Sequence, residues 1–319
     1  MNERPISLPR FARLPIIDAA RGVAIVAMVI YHFGWNLSFL ELIPVDLRDF
    51  PLWIWFGHAI AASFLALVGV GLVLAHGQGF GRERFLRRLA FVAGAAALVT
   101  AGTYLVFPDR FIFFGILHHI ALASVLALPF LRLPWFAVAI AATLVFALPI
   151  AFKAEAFSSP WLIWLGLGTR LPSTNDFVPV FPWFACVLMG IAMAKLWRPV
   201  ASEAPDAPQR PMRALIWMGR NSLPIYLIHQ PVLYGGLAVL ASAMLPPVDR
   251  ETRDFLLSCQ EQCVGTGGDT LTCANFCGCT VSNLKKESLW QRVLADAPDV
   301  TLRLRIEAIT RQCAAPKAP

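Results

Sequence analysis

Residues 16–35 read IIDAARGVAIVAMVIYHFGW, an apolar stretch that is interrupted by Asp18, Arg21 and His32. About 20 predominantly apolar residues are enough for an α-helix to cross the hydrocarbon core of a bilayer. The stretch therefore predicts a transmembrane helix. The arginines that precede it are typical of a secretory signal, but no small-residue cleavage site follows, which indicates an uncleaved first span.

The composition of the whole chain also indicates a membrane protein. Of its 319 residues, 57% are hydrophobic and only 15% are charged, and the mean hydropathy is +0.63, whereas about 25% charged residues is typical of soluble domains. The net charge of +7 comes from short Lys and Arg clusters between apolar runs rather than from one basic surface. We therefore expect the lipid bilayer, and no nucleic acid, as a partner.

Seven apolar runs are long enough to cross the hydrocarbon core. They cover residues 16–37, 53–75, 89–107, 111–131, 134–152, 178–196 and 221–245. The Trp-rich run at 161–167 is too short to cross, which favours an interfacial or re-entrant segment. The sequence therefore predicts an all-α fold, a polytopic membrane helix bundle of about seven transmembrane helices.

The distribution of Lys and Arg predicts the orientation of the spans, because cytosolic loops carry more of these residues. A cytosolic N-terminus places twelve of them inside: Arg4, Arg10, Arg13, Arg82, Arg84, Arg87, Arg88, Arg132, Lys195, Arg198, Arg210 and Arg213. It leaves four outside before the tail: Arg48, Arg110, Lys153 and Arg170. With seven spans, residues 1–248 form the membrane domain, in which 197–213 is a cytosolic loop, and residues 249–319 form an extracytoplasmic tail.

The tail contains six of the seven cysteines, and an exported compartment would oxidise them. Two Cys-x3-Cys pairs, each at the i and i+4 spacing of a helix, flank a Gly-Thr-Gly-Gly turn, which predicts a helical hairpin closed by disulfides. The favoured disulfides are Cys259–Cys277, Cys263–Cys273 and Cys279–Cys313. Six cysteines allow fifteen connectivities, and a zinc site is the alternative. We expect a small disulfide-rich helical tail.

Arg21 and His32 share one face of the first span but lie at different depths. Their separation of eleven residues places them roughly 20° apart around the helix and about 16 Å apart along its axis. Arg21, near the cytosolic end, can bind phosphate or carboxylate, and His32, near the outer end, can move protons. The alternatives are a snorkelling anchor and an interfacial helix-end histidine. Asp18 is a candidate partner of Arg21 or a helix N-terminal acid.

Other ionisable residues in or near the spans are further candidates. His58, His118 and His119 lie about two turns from the outer side, and His229 lies near the middle of the last span. Each is alternatively a packing histidine, and we expect at most one of His118 and His119 to face the site. Asp176 is a candidate acid at the outer mouth or a solvated loop residue. We expect no metal, because no His-Glu-x-x-His or comparable spacing occurs.

The order of these residues resembles that of the transmembrane acyltransferases. Arg21 and His32 stand ten residues apart within Asp-x-x-Arg-Gly-x-Ala-Ile-x-x-Met, which is similar to the acyltransferase 3 proteins. Residues 13–245 as a whole resemble the heparan-α-glucosaminide N-acetyltransferase-like proteins more. The segments that carry this resemblance are FGHAIAASFLALVGVGLVLAH, GILHHIALASVLAL, DFVPVFPWFACVLMGIAMA and MGRNSLPIYLIHQP.

The resemblance implies acyl transfer from cytosolic acyl-CoA to a hydroxyl or amine of an extracytoplasmic glycan. Acetyl-CoA or another acyl-CoA would be a co-substrate, and no cofactor would stay bound. Arg21 would contact CoA and His32 would be the catalytic histidine, with His229 as a possible oxyanion donor. The family's proposed catalytic histidine lies in the loop after the first span, and this chain has no histidine between Phe33 and Gly57.

The predicted site residues therefore fall into two groups. The candidate catalytic residues are His32, His58 and His229, and the candidate substrate-binding residues are Arg21, Asp18, His118, His119 and Asp176. We expect an integral protein of the bacterial inner membrane, with a homo-oligomer left open. The alternatives are a proton-coupled transporter, whose internal repeat we do not find, and a scaffold or sensor that uses the cysteine-rich tail.

Overall fold

The computed structural model describes residues 14–40, 42–43, 45–76, 81–197, 210–244, 250–295 and 300–314. These residues form helices, turns and irregular segments without a β-strand, which confirms the all-α prediction. The chain divides between Val239 and Leu240 into two compact units. The predicted boundary at 248–249, the arginines before Leu14 and most of the predicted loop at 197–213 lie outside the described residues.

The first unit is built from helices that follow the apolar runs. Within the described residues they are α1 (Pro15–Phe39), α2 (Pro51–His76), α3 (Arg82–Val106), α4 (Ile116–Leu126), α5 (Trp135–Ala151), α6 (Val180–Leu196), α7 (Arg210–Arg220) and α8 (Ser222–Met244), of which the part up to Val239 belongs to this unit. The main core lies where α2, α4, α5 and α6 meet, and its most buried members include Leu65, Val138, Val187, Leu188 and Ile191.

Among the described helices, α1, α2, α3 and α8 are long and apolar enough to cross a membrane. The other three predicted spans coincide with shorter helices, α4 with 11 residues and α5 and α6 with 17 each. At 1.5 Å per residue, α4 covers about 16 Å, roughly half of the hydrocarbon core. The predicted span at 111–131 exceeds α4 because Phe114 bridges Phe177 in an extended segment and Pro129 begins a separate 3-10 turn. The prediction of seven spans is thus confirmed only for four.

The connection between α5 and α6 contains the Trp-rich run 161–167. It forms turns, including a 3-10 turn at Ile163–Leu165, rather than a crossing helix, as predicted. Gly166 follows with φ at +84°, a conformation that favours glycine, and a Cβ there would lie 2.2 Å from the Phe181 oxygen. The connection therefore packs closely on the start of α6.

Helix α7 is a feature that the sequence interpretation missed, because residues up to 213 were assigned to a loop. The helix begins at Arg210, with Ile216 buried and Trp217 exposed. Its backbone packs closely on that of α1. A Cβ on Gly22 would lie 2.1 Å from the backbone oxygen of Leu215, and one on Gly219 would lie 1.8 Å from the backbone oxygen of Asp18. Glycine at both positions permits this approach.

The second unit contains four helices in its described part: α9 (Arg250–Gly265), α10 (Thr270–Lys286), α11 (Trp290–Leu294) and α12 (Val300–Ala314). Gly267, with φ at +97°, turns the chain between α9 and α10. Asp269 then caps α10 by accepting hydrogen bonds from the Leu271 and Thr272 amides, and the bonds from Thr272 lower the pKa of this carboxyl.

The cysteines of the second unit form the disulfides that the spacing favoured. They are Cys259–Cys277, Cys263–Cys273 and Cys279–Cys313, with Cα–Cα distances of 6.0, 5.7 and 5.7 Å. The first two close the α9–α10 hairpin, and the third joins α10 to α12. Because all six sulfurs are paired, none is left as a thiolate for the zinc alternative.

Close packing between α2 and α6 generates a stability prediction. A Cβ on Gly190 would lie 2.0 Å from the Ala66 oxygen, whereas one on Gly94 of α3 would meet nothing within 4 Å. We expect Gly190→Ala to cost about 1–3 kcal/mol and to lower the melting temperature of the detergent-solubilised protein. Gly94→Ala, the matched control, should melt as the wild type does or higher, because alanine favours a helix. Equal melting of both variants would contradict this packing.

The disulfides predict a thiol count. Of the seven cysteines, only Cys186 is free. Alkylation of the protein in denaturant without reductant should therefore add one label by intact mass, and alkylation after reduction should add seven. A count of three or more labels before reduction would show that at least one tail disulfide is absent.

Candidate active-site cavity

A cavity of about 1120 Å³ lies among α1, α2, α3, α8 and the loop before α6. Most of its wall is apolar, so the few polar side chains in it determine what chemistry it can support. They include Tyr31, His32, His58, Asp176, His229 and Gln230, and Lys153, Arg170 and Asn175 also line the cavity. Four of the predicted site residues, His32, His58, Asp176 and His229, thus share one cavity.

His32 of α1 and His229 of α8 form a pair in the cavity wall, with ring centroids 5.0 Å apart. The Nε2 amide of Gln230 lies 3.3 Å from Nδ1 of His32, and Gln230 Oε1 accepts a hydrogen bond of 2.9 Å from Asn36. Nδ1 of His229 lies 2.6 Å from the Tyr226 oxygen. Nε2 of His229 is buried and has no hydrogen-bond partner among the described residues.

Helix periodicity explains this arrangement locally. Asn36 follows His32 by four residues, so both lie on one face of α1, and Tyr226 precedes His229 by three on α8. Asn36 and Gln230 are functional candidates that the sequence interpretation missed. The available signal was a polar amide inside or beside an apolar span, where such side chains are expected to find a partner.

His58 occupies a different part of the cavity wall. Its ring packs edge-on against Trp55 and Trp183, with centroids 5.8 and 5.5 Å away. These aromatic contacts position the imidazole, whose exposed side chain lines the cavity. A catalytic role for His58 stays a prediction.

His118 and His119 are not among the described side chains that line the cavity. Nε2 of His118 lies 3.0 Å from the Thr100 hydroxyl, and its Nδ1 accepts a hydrogen bond from the Gly115 amide. His119 is buried with Nδ1 3.1 Å from the Val178 oxygen. Both rings therefore join α4 to its neighbours, which corresponds to the packing alternative, and substrate contact by either stays untested.

Asp176 lines the cavity and also fixes the start of α4. Its Oδ2 accepts a hydrogen bond of 3.0 Å from the Ile116 amide, and a Cβ on Gly115 would lie 2.4 Å from the same oxygen. Burial raises the pKa of the Asp176 carboxyl, and the Ile116 hydrogen bond opposes this shift. The structure thus gives Asp176 a half-buried position in the cavity wall, held by the Ile116 amide, rather than that of a fully solvated loop residue.

At the other end of α1, Asp18 bridges two arginines. Its carboxylate lies 3.3 Å from Arg21, which confirms the predicted pairing, and 3.1 Å from Arg220 of α7. Arg88 of α3 also approaches Arg21, since a Cβ on Gly71 would lie 3.0 Å from the Arg21 guanidinium and 3.8 Å from that of Arg88. Neither Arg88 nor Arg220 was predicted as a site residue, because Arg88 was assigned only to a basic loop.

Two chemically distinct ends therefore lie along α1. The arginine end can bind an anionic group such as phosphate. The histidine end can move protons and donate hydrogen bonds next to a large cavity. Such a pair of sites suits a reaction in which an extended anionic donor meets a second substrate.

Comparison with known families tests this interpretation. A family model described as heparan-alpha-glucosaminide N-acetyltransferase, catalytic, matches residues 13–231, which include α1 and both histidines of the pair. Comparison with curated proteins and with solved structures gives no match. Because the family match covers more than half of the chain, the protein belongs to the heparan-α-glucosaminide N-acetyltransferase family.

Proposed function

We propose that this protein transfers an acetyl or other acyl group from acyl-CoA to a hydroxyl or amine of a glycan on the opposite side of the membrane. The observation that carries the proposal is the separation of arginine and histidine groups along α1. An acyl-CoA has anionic phosphates at one end and a thioester at the end of a long arm. A spacing of about 16 Å between Arg21 and His32 is of the scale of that arm.

The arginine end is the proposed donor site. Arg21, Arg88 and Arg220 bring three positive charges together, and Asp18 supplies one negative charge within hydrogen-bond reach of two of them. Like charges held this close repel one another unless an anion joins them. The phosphates of CoA would supply that anion, and guanidinium groups bind phosphate through paired hydrogen bonds.

The cavity is the proposed meeting place of thioester and acceptor. Its volume of about 1120 Å³ lies slightly above the usual range for small-molecule sites, which leaves room for a sugar together with an acyl-pantetheine arm. A histidine of the His32–His229 pair would remove the acceptor proton, and the other would stabilise the oxyanion of the tetrahedral intermediate. His58 and Asp176 would contact the acceptor.

The proposed orientation follows from the charge distribution of the loops. A cytosolic N-terminus puts the arginine end on the side of the cytosolic acyl-CoA pool and the histidine end toward the outside. We place the protein in the inner membrane of a bacterium, with the tail outside the cytoplasm. Disulfides among the tail cysteines are compatible with this location.

Substitution of the donor-site arginines tests the proposal. Arg21→Ala and Arg88→Ala should each weaken acetyl-CoA binding by about 10- to 100-fold, since a hydrogen bond to a charged group contributes about 1.5–3 kcal/mol. Isothermal titration of the purified protein in nanodiscs measures the affinity. Arg87→Ala, the neighbouring position, is the matched control and should bind as the wild type does, because Gly71 is close to the guanidinium groups of Arg21 and Arg88 and not to that of Arg87.

Two results would contradict these assignments. Unchanged affinity of both Arg21→Ala and Arg88→Ala would remove the donor site from this end of α1. A wild-type protein that neither binds acetyl-CoA nor releases CoA would contradict the proposed acyltransferase activity and favour a transporter or a scaffold.

The acceptor is tested by direct transfer. Wild-type protein incubated with radiolabelled acetyl-CoA and envelope glycans of its host should yield a labelled glycan fraction. Mild base removes an ester label but leaves an amide, so base treatment distinguishes O-acylation from N-acylation. The absence of label in every glycan fraction, with CoA still released, would contradict a glycan acceptor.

A further inference from the structure

The paired histidines of the cavity, His32 and His229, have hydrogen-bond partners of opposite character. A neutral imidazole carries its proton on one nitrogen only, and the partner of the other nitrogen determines which one. One ring is held by a backbone carbonyl and the other by a side-chain amide, so their protons lie on different nitrogens.

For His229 the partner is the Tyr226 carbonyl, 2.6 Å from Nδ1. A carbonyl oxygen only accepts hydrogen bonds, so Nδ1 carries the proton. The lone pair is therefore on Nε2. This nitrogen is buried in a residue that lines the cavity, and it has no partner among the described residues. Its lone pair is left to accept a proton from a substrate group that is brought against it.

For His32 the partner is Gln230, whose amide also contacts Asn36. Asn36 donates to Gln230 Oε1 at 2.9 Å, which turns the Gln230 NH₂ group toward Nδ1 of His32 at 3.3 Å. An amide NH₂ only donates, so with this orientation of the Gln230 amide Nδ1 of His32 accepts and its proton lies on Nε2. His32 therefore offers the cavity an N–H donor rather than a base.

We propose that His229 is the general base of the transfer, that His32 is the oxyanion donor, and that Gln230 is the positioning residue that sets the His32 tautomer. This inference rests on the proposed function and deepens it. It reverses the roles that the family resemblance implied, in which His32 is the catalytic histidine and His229 the second donor.

In the proposed transfer, the proton leaves the acceptor for His229 and ends on the CoA thiol. Nε2 of His229 removes the proton from the acceptor hydroxyl or amine as the acceptor forms a bond to the acyl carbon, and the thioester oxygen becomes an oxyanion bound by Nε2–H of His32. Collapse of the tetrahedral intermediate breaks the carbon–sulfur bond. The His229 imidazolium then returns its proton to the CoA thiolate, so the products are the acylated acceptor and free CoA.

Matched glutamine substitutions distinguish the two histidines, because glutamine keeps an N–H donor but supplies no base. His229→Gln should lower kcat by about 10²–10⁴-fold, the range for a general base. His32→Gln should lower kcat by about tenfold at most, because its amide can replace the oxyanion donor. Both variants should bind acetyl-CoA with unchanged affinity, because the arginines proposed to bind CoA lie far from the substituted histidines. An unchanged affinity shows that the fold is intact. The reverse order of the two kcat losses would overturn the proposal.

Nitrogen NMR of the full-length protein in nanodiscs, labelled with [¹⁵N]histidine, reports the tautomers directly. His229 should show a protonated Nδ1 and an unprotonated Nε2, and His32 the opposite pattern, with each signal assigned from its glutamine variant. Gln230→Met should abolish the fixed His32 tautomer, leave that of His229 unchanged and lower kcat without changing acetyl-CoA affinity.

The opposite tautomer at either wild-type ring would overturn the roles even where acyl transfer proceeds. A wild-type protein that transfers no acyl group while it shows the expected tautomers would instead overturn the proposed function and, with it, the catalytic roles.

Discussion

The organisation of the site depends on one constraint, the need of polar groups in an apolar helix to find partners away from lipid. Helix α1 carries such groups at both ends, and their long-range partners lie in one short part of the chain. Asp18 contacts Arg220 across 202 residues of sequence, and Asn36 contacts Gln230 across 194. Pairing α1 with residues 220–230 therefore positions the arginine end and the histidine end together.

Backbone proximity makes this pairing possible at the arginine end. Gly22 and Gly219 bring α1 and α7 so close that a Cβ at either would overlap the other backbone. At that distance the Asp18 carboxylate reaches Arg220 without losing Arg21. A single acid shared by two guanidiniums neutralises only part of their charge, which leaves this end of the helix suited to an anionic ligand.

What the sequence could predict is local. Hydropathy locates the helical segments, the i and i+4 spacing indicates the hairpin disulfides, and the 3.6-residue period places Arg21 and His32 on one face. Hydropathy cannot, however, distinguish a helix from an extended segment within an apolar run. The predicted span at 111–131 therefore includes the extended segment around Phe114, which precedes α4. The contacts of Asp176 with α4 and of Gln230 with His32 join distant parts of the chain, and no local pattern encodes them.

The histidine pair shows why those distant contacts matter for chemistry. Two identical side chains, with ring centroids 5.0 Å apart, have partners of different kinds, since one faces a carbonyl and the other an amide. In the proposed mechanism the Tyr226 carbonyl would orient His229 as the acid orients the base in a catalytic triad, and its dipole would stabilise the imidazolium that forms. A carbonyl carries no net charge, so this arrangement avoids placing an unpaired carboxylate within an apolar span. In the proposed mechanism His32 only donates a hydrogen bond, so its ring adds no second positive charge beside His229.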